Sequence, residues 1–557
     1  MREMTSNGPL HVHAIPGSHV VTFGFDWPED RAQELQGFAI HRTNHATSEA
    51  AWLKAQKRYS CTDPGTAKGE RVSTFHHPVQ SFLWADYTAD PDTSYTYRIV
   101  ARGGVPNALV SLAEVEITAK TIGRSASGHA VHFNRGAIAA QEYARRFNNK
   151  APEDVVNGFA YQWLSRGLFE SFEHFIERAR AGDSLHVAIY EARYAPALSA
   201  LKQARARGVD VHVIVDAKEN GDEDEAAFPR DENLALLEAA GLADVVHLRA
   251  ANPSYIAHNK FVVLSTQGMA SEVWTGSTNW SENGFFGQLN VGHEIRDEEV
   301  ARRFLDYWNL LKSDPKASTL GEDLSELVPI PDVWPKGCFP VFSPRSNRDA
   351  LDSYIKSASN AQVVLVTLAF SIDSHLGEAL SSDSPGLRYV LMDGVKGNSK
   401  QIEKTSATVR NIRKTEAGRV AIGAYLRGNA LDQFLLERSR QLGTHVQFVH
   451  TKFMMVDPLG AAPLVISGSA NFSAASCTRN DENMLVIGAD HEVSDIYLGE
   501  FMRTYSHYAF RDAANAARKD GREFRPKSLN EDCTWAADYY GDGFHSRQRR
   551  YFAHGRL

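Results

Sequence analysis

Two stretches of the chain present the same small set of chemically able side chains in the same order. One carries His258-x-Lys260-x4-Ser265, followed by Gly276-Ser277-x-Asn279-x-Ser281. The other carries His450-x-Lys452-x4-Asp457, followed by Gly468-Ser469-x-Asn471-x-Ser473. His258 and His450, Lys260 and Lys452, Ser277 and Ser469, and Asn279 and Asn471 are each 192 residues apart, with no gap needed. A single His-x-Lys is an ordinary solvated pair on an edge strand. Two copies, each followed by Gly-Ser-x-Asn at one constant offset, read as an internal duplication.

The spacing has a chemical meaning. Residues two apart on a strand share a face, so His-x-Lys sets an imidazole beside an ammonium. Gly-Ser-x-Asn at a strand end allows close backbone approach and supplies a hydroxyl and an amide, although the same pattern also serves turns. Facing copies converge two His, two Lys, two Ser and two Asn. That cationic, donor-rich constellation suits a phosphodiester and the charge that builds as phosphorus becomes five-coordinate.

The motifs H-x-K-x4-D and G-S-x-N, repeated twice, resemble the signature of the phospholipase D superfamily, and the second copy matches it in full. The resemblance covers the chain from about residue 150 onward. It implies an α/β fold in which two phospholipase D-like α/β/α halves form one pseudo-symmetric catalytic unit. It also implies that one histidine attacks phosphorus to form a phosphohistidine. The other protonates the leaving oxygen and then activates water or an alcohol. Carried onto this chain, His258 is the expected nucleophile and His450 the expected general acid and base. Lys260, Lys452, Ser277, Ser469, Asn279 and Asn471 complete the site, and no metal or other cofactor is implied.

The first copy departs from the pattern. Ser265 stands where the second copy has Asp457, a residue counted with the site but expected to act as a structural partner. Further along the register, Glu482 falls opposite Asn290, where the family commonly sets a carboxylate against the imidazole. The first half therefore lacks both usual acids unless Glu294 reaches in. A carboxylate favours the charged imidazole, whereas an amide leaves it easier to keep neutral. With each partner assigned to its own half, the expectation is a neutral His258 beside Asn290 and a protonatable His450 beside Glu482.

Such a site needs strands ending at the motifs and helices covering them. Apolar spacing predicts a helix through Leu168, Phe172, Phe175 and Ile176, a strand Leu185–Tyr190, a helix Pro196–Arg207, a strand Val209–Val215 and a helix Asn233–Ala240. A helix at Ala350–Ser359 and strands Val363–Phe370 and Leu387–Met392 repeat the order. This alternation predicts a mainly parallel sheet covered on both faces. The stretches Glu219–Glu225 and Lys396–Lys404 read as exposed loops, and a helix is expected near Tyr497–Phe510.

The first segment reads as all-β, with strands at Leu10–Ile15, Val20–Phe25, Phe38–His41, Tyr95–Val100 and Val115–Thr118. Its Tyr95-x-Tyr97 strand after a Pro-containing turn resembles the late strands of a fibronectin type III sandwich. The expected organisation is a fibronectin type III-like β-sandwich at 1–121, a linker at 122–149, phospholipase D-like halves at 150–330 and 331–515, and a tail at 516–557 packing on the catalytic unit.

A chain of 557 residues accommodates two to four such domains. No apolar run is long enough for a membrane span, and no secretory signal is visible at the start. Cys61, Cys338, Cys477 and Cys533 lie far apart, which argues against a zinc cluster or a disulfide framework and makes the cytoplasm the expected location. The net charge of −8 and pI near 6.3 argue mildly against a general nucleic-acid coat.

The pairs His11/His13 and His129/His132 lack further ligands, so neither is read as a metal site. Asp216 and Asp393 end strands and read as caps. The expected substrate is a phosphodiester, a phospholipid slightly favoured over DNA or RNA. A catalytically dead phosphate binder is a third reading. One site per chain removes any need for a dimer, and the N-terminal module is expected to bind a partner of unknown kind.

Overall fold

Alternation along the strand Lys260–Thr266 sets out the layers. Phe261 and Val263 enter a core shared with Leu365, Phe453 and Met455 of a second sheet, while Val262 and Leu264 turn outward onto Leu168, Phe172 and Leu201. The strand Lys452–Val456 does the same, with Phe453 and Met455 inward and Met454 and Val456 outward onto Leu351, Tyr354 and Leu376. Two seven-stranded sheets thus face one another across a common core. The helices Glu298–Lys312 and His491–Lys519 contribute Phe304, Tyr307, Trp308, Tyr497 and Phe501 to it. The first of these helices starts at Asp297, whose carboxylate accepts the N–H groups of Glu299 and Val300.

These features come from a computed structural model that describes residues 1–65, 70–123, 128–136, 140–219, 228–251, 255–369, 371–382, 385–423, 449–520 and 528–557. The first sheet runs His129–Phe133, Val291–Ile295, Met269–Gly276, Lys260–Thr266, Ser184–Ile189, Asp210–Asp216, Val246–Arg249. The second runs Gly337–Ser343, Glu482–Gly488, Leu464–Gly468, Lys452–Val456, Val363–Leu368, Leu387–Met392, Gly418–Ile422. The order is the same in both, and each motif strand is central.

The expectation of a mainly parallel sheet is corrected. In each sheet only the last three strands are parallel, and the other pairings are antiparallel. Helical crossovers make the parallel pairs, whereas the short link from the His-x-Lys strand to the Gly-Ser strand makes a hairpin. The polar stretch read as a loop at Lys396–Lys404 enters a helix, Ser399–Lys414, opened by a capping box between Asn398 and Gln401. Most of the acidic stretch Glu219–Glu225, and Phe370, lie outside the described residues. The segment 122–149 contains the edge strand His129–Phe133, paired with Val291–Ile295.

Toward the N-terminus, all strand pairings are antiparallel. Glu3–Asn7, Leu10–Pro16, Val21–Asp26 and Leu83–Asp86 form one four-stranded sheet; Ala108–Lys120, Ser94–Val105, Gly37–Asn44 and Ala50–Trp52 form another. Their shared core also holds Trp535 and Ala536 from the tail, with Tyr539 and Tyr540 against it. The final helix, Phe544–His554, lies so close to Val21–Asp26 that a Cβ at Gly24 would meet the Phe552 carbonyl at 2.2 Å. His11 and His13 bond the carbonyls of Ala553 and Phe552 at 2.9 and 2.8 Å, and Asp26 takes both Arg549 and His554. The same helix reaches the second sheet through Arg547 to Gly386 and Gln548 to Tyr389.

The tail therefore packs on the N-terminal sheets as well as on the second seven-stranded sheet. Deleting residues 1–122 is expected to leave an insoluble or strongly destabilised remainder, because it uncovers Trp535, Tyr539, Tyr540 and Phe552 together. Each large apolar side chain so exposed costs about 1.5–3 kcal/mol. A truncated protein melting cooperatively at the full-length temperature would contradict this. Among the described residues, no helix is long and apolar enough to cross a membrane.

Candidate active site

The two His-x-Lys motifs meet where the sheets' motif strands begin. His258 and His450 precede their strands, and Lys260 and Lys452 open them. The imidazole centroids lie 6.5 Å apart at 71°. Backbone bridges pair Ala257 with Asp481 and Leu289 with Val449, positions equivalent under the 192-residue offset. The His258 N–H donates to the Asp481 carbonyl at 2.8 Å, and the His450 N–H to the Leu289 carbonyl at 3.2 Å. Each ammonium donates to the carbonyl of its own histidine at 2.8 Å.

Partner assignment is crossed relative to the expectation. His258 Nδ1 lies 2.8 Å from Glu482 Oε2, and His450 Nδ1 lies 2.9 Å from Asn290 Oδ1. The carboxylate of the second copy backs the histidine of the first, because the copies meet face to face. Glu482 also takes the Ser469 hydroxyl at 2.6 Å, and Asn290 Oδ1 takes the Ser277 hydroxyl at 2.8 Å. A carboxylate only accepts, so His258 Nδ1 carries the hydrogen and Nε2 keeps its lone pair. The Asn290 amide nitrogen is committed to the Gly284 carbonyl at 2.9 Å, so its oxygen faces His450 and Nδ1 is the donor there too.

Burial and mutual repulsion leave the site's own groups short of protons. Burial, against the pull of Glu482, pushes His258 down to about 4. Burial and the ammonium of Lys452 put His450 well below the usual imidazole range. Both lysines fall to about 7, by burial first, with Lys260 adding repulsion on Lys452. Burial would raise Glu482, yet His258 and Lys260 hold it below the ordinary carboxylate value. A buried pair of ammonium groups with one carboxylate near both lacks a countercharge that an anionic substrate supplies.

Asn279 and Asn471 each keep a buried Oδ1 with no partner among the described residues. Tyr190 stands edge-on to His258 at 5.1 Å, with the Lys260 ammonium 5.4 Å from its ring centre. Asp216 and Asp393, read as caps, accept the N–H groups of Ala257 and Val449, the residues just before each histidine. They fix the entry of both motif loops. Tyr190 escaped the sequence reading because nothing in its own spacing marks it.

Asp457 does not join the site. The strand Lys452–Val456 carries it about 16 Å away, where its carboxylate accepts the Val363 N–H at 2.7 Å. Ser265, its counterpart, is buried, and its hydroxyl has no partner among the described residues. Ser265→Asp is expected to leave kcat within about twofold, since neither position reaches the cleft; a collapse in turnover without loss of melting temperature would place Ser265 at the phosphate.

Glu294 does not reach in either, since it binds His132 at 3.1 Å and Arg178 at 2.8 Å. His129 instead starts a buried chain to His293, the Tyr497 hydroxyl and Ser467 that ties the first sheet to the second. Among the described residues, no group of three or more His, Cys, Asp or Glu is arranged to hold a metal.

A family model described as "Cardiolipin synthase, PLD-like domain" matches residues 173–311 and 351–505, together more than half of the chain. No curated protein matches it. Among solved structures, it is similar to phosphatidylserine synthase from Haemophilus influenzae, at 11% identity over 61% of this chain and 83% of that one, with a TM-score of 0.41. Polyphosphate kinase from Porphyromonas gingivalis gives 14% identity and a TM-score of 0.38 over 60% of this chain, which spans only 43% of that one. The phospholipase D family member Nuc from Salmonella typhimurium gives 15% identity and a TM-score of 0.23, over 31% of this chain and 95% of that one.

Proposed function

Since the chain belongs to the family of PLD-like domains, we propose that it cleaves or transfers phosphodiesters through a phosphohistidine on His258. The observation that carries this is the opposed pair of imidazoles, 6.5 Å apart, each with Nδ1 committed and Nε2 left for a substrate. A phosphorus atom between them sits about 3–3.5 Å from the attacking nitrogen.

In the first step the Nε2 lone pair of His258 forms the P–N bond as the P–O bond to the leaving group breaks. The substrate's anionic oxygens, set against the two ammonium groups that repel a charged ring, favour a second proton on His450 at Nε2, and the leaving oxygen takes that proton. Glu482 steadies the positive charge that develops on the His258 ring, while the two ammonium groups and the Asn279 and Asn471 amides hold the non-bridging oxygens. In the second step His450 takes a proton from water or an alcohol, whose oxygen displaces His258 and regenerates both rings. The crossed partners suit this division: the charged partner backs the ring that becomes cationic, and the neutral amide backs the ring that must give its proton up.

We read the two seven-stranded sheets as duplicated halves of one catalytic unit, 150–330 and 331–515, and the N-terminal sheets as a fibronectin type III-like sandwich. Among phosphodiesters we place a phospholipid first. The description of the matching family names cardiolipin synthase. Val156 and Phe159 are 73% and 53% exposed, and Tyr161 just beyond them bonds Glu282 in the loop that follows the first motif. That sets exposed apolar side chains on the segment that contacts this loop, a surface suited to an interfacial substrate.

The test offers purified protein labelled phosphatidylcholine in vesicles and labelled single- and double-stranded DNA, all in chelator. Turnover of the lipid in chelator is the expected result. Turnover of DNA alone would replace the substrate class, and complete loss in chelator with rescue by zinc or magnesium would sink the mechanism.

A further inference from the structure

A second cationic cluster lies where the turn after Pro16, the edge of the first sheet and the helix His491–Lys519 meet. His132, Arg135, Arg166 and Arg503 all fall within electrostatic range of His19 there, and the three arginines within range of one another. Arg166 forms the floor. Its side chain is 1% exposed and pairs with Glu500 at 2.9 Å, yet its Nε and Nη2 have no hydrogen-bond partner among the described residues. Arg503 gives Nε to the same Glu500 at 2.8 Å and turns Nη2 to the Asn134 carbonyl at 3.2 Å. Arg135 stacks on Trp163 at 4.7 Å and gives Nε to the Trp163 carbonyl at 2.8 Å.

Two guanidinium groups therefore share the Glu500 carboxylate, and the third, on Arg135, lies within electrostatic range of all three groups. The guanidinium groups are fixed by carbonyls, an aromatic face and each other's partner, so the forks are placed before any ligand arrives. Leaving buried positive charge without a counter-ion is costly, and a phosphate group matches guanidinium forks with paired acceptors. Tyr87, hydrogen-bonded to Ser506, lies within electrostatic range of Arg503 and Glu500, and both Tyr87 and Ser506 are exposed.

We propose that this junction is a second anion site, in which Arg135, Arg166 and Arg503 bind a phosphate group apart from the catalytic histidines. Burial and the charges of Arg166 and Arg503 hold Arg135 down to about 9, which a bound anion would reverse. The site joins the N-terminal segment to the catalytic part, so its ligand tightens that junction. It also abuts the catalytic shell, because Asn134, whose carbonyl takes Arg503, accepts the Asn290 N–H at 3.0 Å.

The test is calorimetric titration of the full-length protein with inorganic phosphate and, in a second arm, with adenosine monophosphate. Lys452→Gln weakens phosphate at the catalytic pair and is expected to leave one phosphate site intact. Arg503→Gln and Arg135→Gln should each weaken that remaining site about tenfold or more when combined with Lys452→Gln. Arg135 is less deeply buried than Arg166, so its variant tests the site even if Arg503→Gln unfolds. Equal affinity in the two arms identifies free phosphate as sufficient, and a much tighter monophosphate identifies a nucleotide; either supports the site. Loss of all phosphate binding in Lys452→Gln, or unchanged binding in both arginine variants, would overturn it.

Discussion

His450→Ala, offered a nitrophenyl phosphodiester, is expected to stop with phosphate bound covalently to His258. The leaving nitrophenolate needs no proton, so attack by the His258 Nε2 lone pair proceeds without the acid. Breakdown then lacks its base. With an ordinary alkoxide leaving group the same variant should lose roughly 10²–10⁴-fold in turnover, the usual worth of a positioned acid or base. His258→Ala should be dead on both substrates, because the covalent route itself is gone. Mass spectrometry of the quenched His450→Ala protein reads the outcome as an acid-labile, base-resistant adduct. An adduct on His450 in the His258→Ala protein would reverse the roles. No adduct in either, with an active parent, would favour direct attack by water.

The residues that make this site were legible in sequence because a constant offset repeats them, and the strands that carry them alternate as their apolar residues require. Leu387–Met392 is formed at the expected residues. What the sequence left open was which groups cross between copies. Register shows that Glu482 and Asn290 are equivalent, but equivalence is silent on whether each serves its own histidine or the other's. That depends on the copies meeting through the Ala257–Asp481 and Leu289–Val449 bridges, contacts between residues far apart in the chain. The edge strand His129–Phe133 was hidden for the same reason, since its partner Val291–Ile295 lies far along the chain. The tail's anchoring to His11, His13 and Asp26 likewise depends on long-range packing, which no local pattern announces.

The crossed pairing makes Glu482→Gln the sharpest test of the nucleophile's environment. Gln keeps the shape and an oxygen for His258 Nδ1, but removes the charge that steadies the ring during attack. The expected fall in kcat is about 10²–10³-fold, the scale of losing one electrostatic stabiliser in a desolvated site. The pH dependence separates this from damage. Attack needs a neutral His258, whose value of about 4 is held up by Glu482 against burial. Removing the carboxylate lowers that value further, so the acid limb of kcat/KM should move to lower pH while the plateau drops. Asn290→Asp is the mirror experiment. A carboxylate beside His450 raises a ring that burial holds well below the usual range. The first step needs that ring protonated, so the alkaline limb should move to higher pH. A Glu482→Gln protein with kcat near the parent's, or limbs unmoved in both variants, would show that these partners only hold the rings in place.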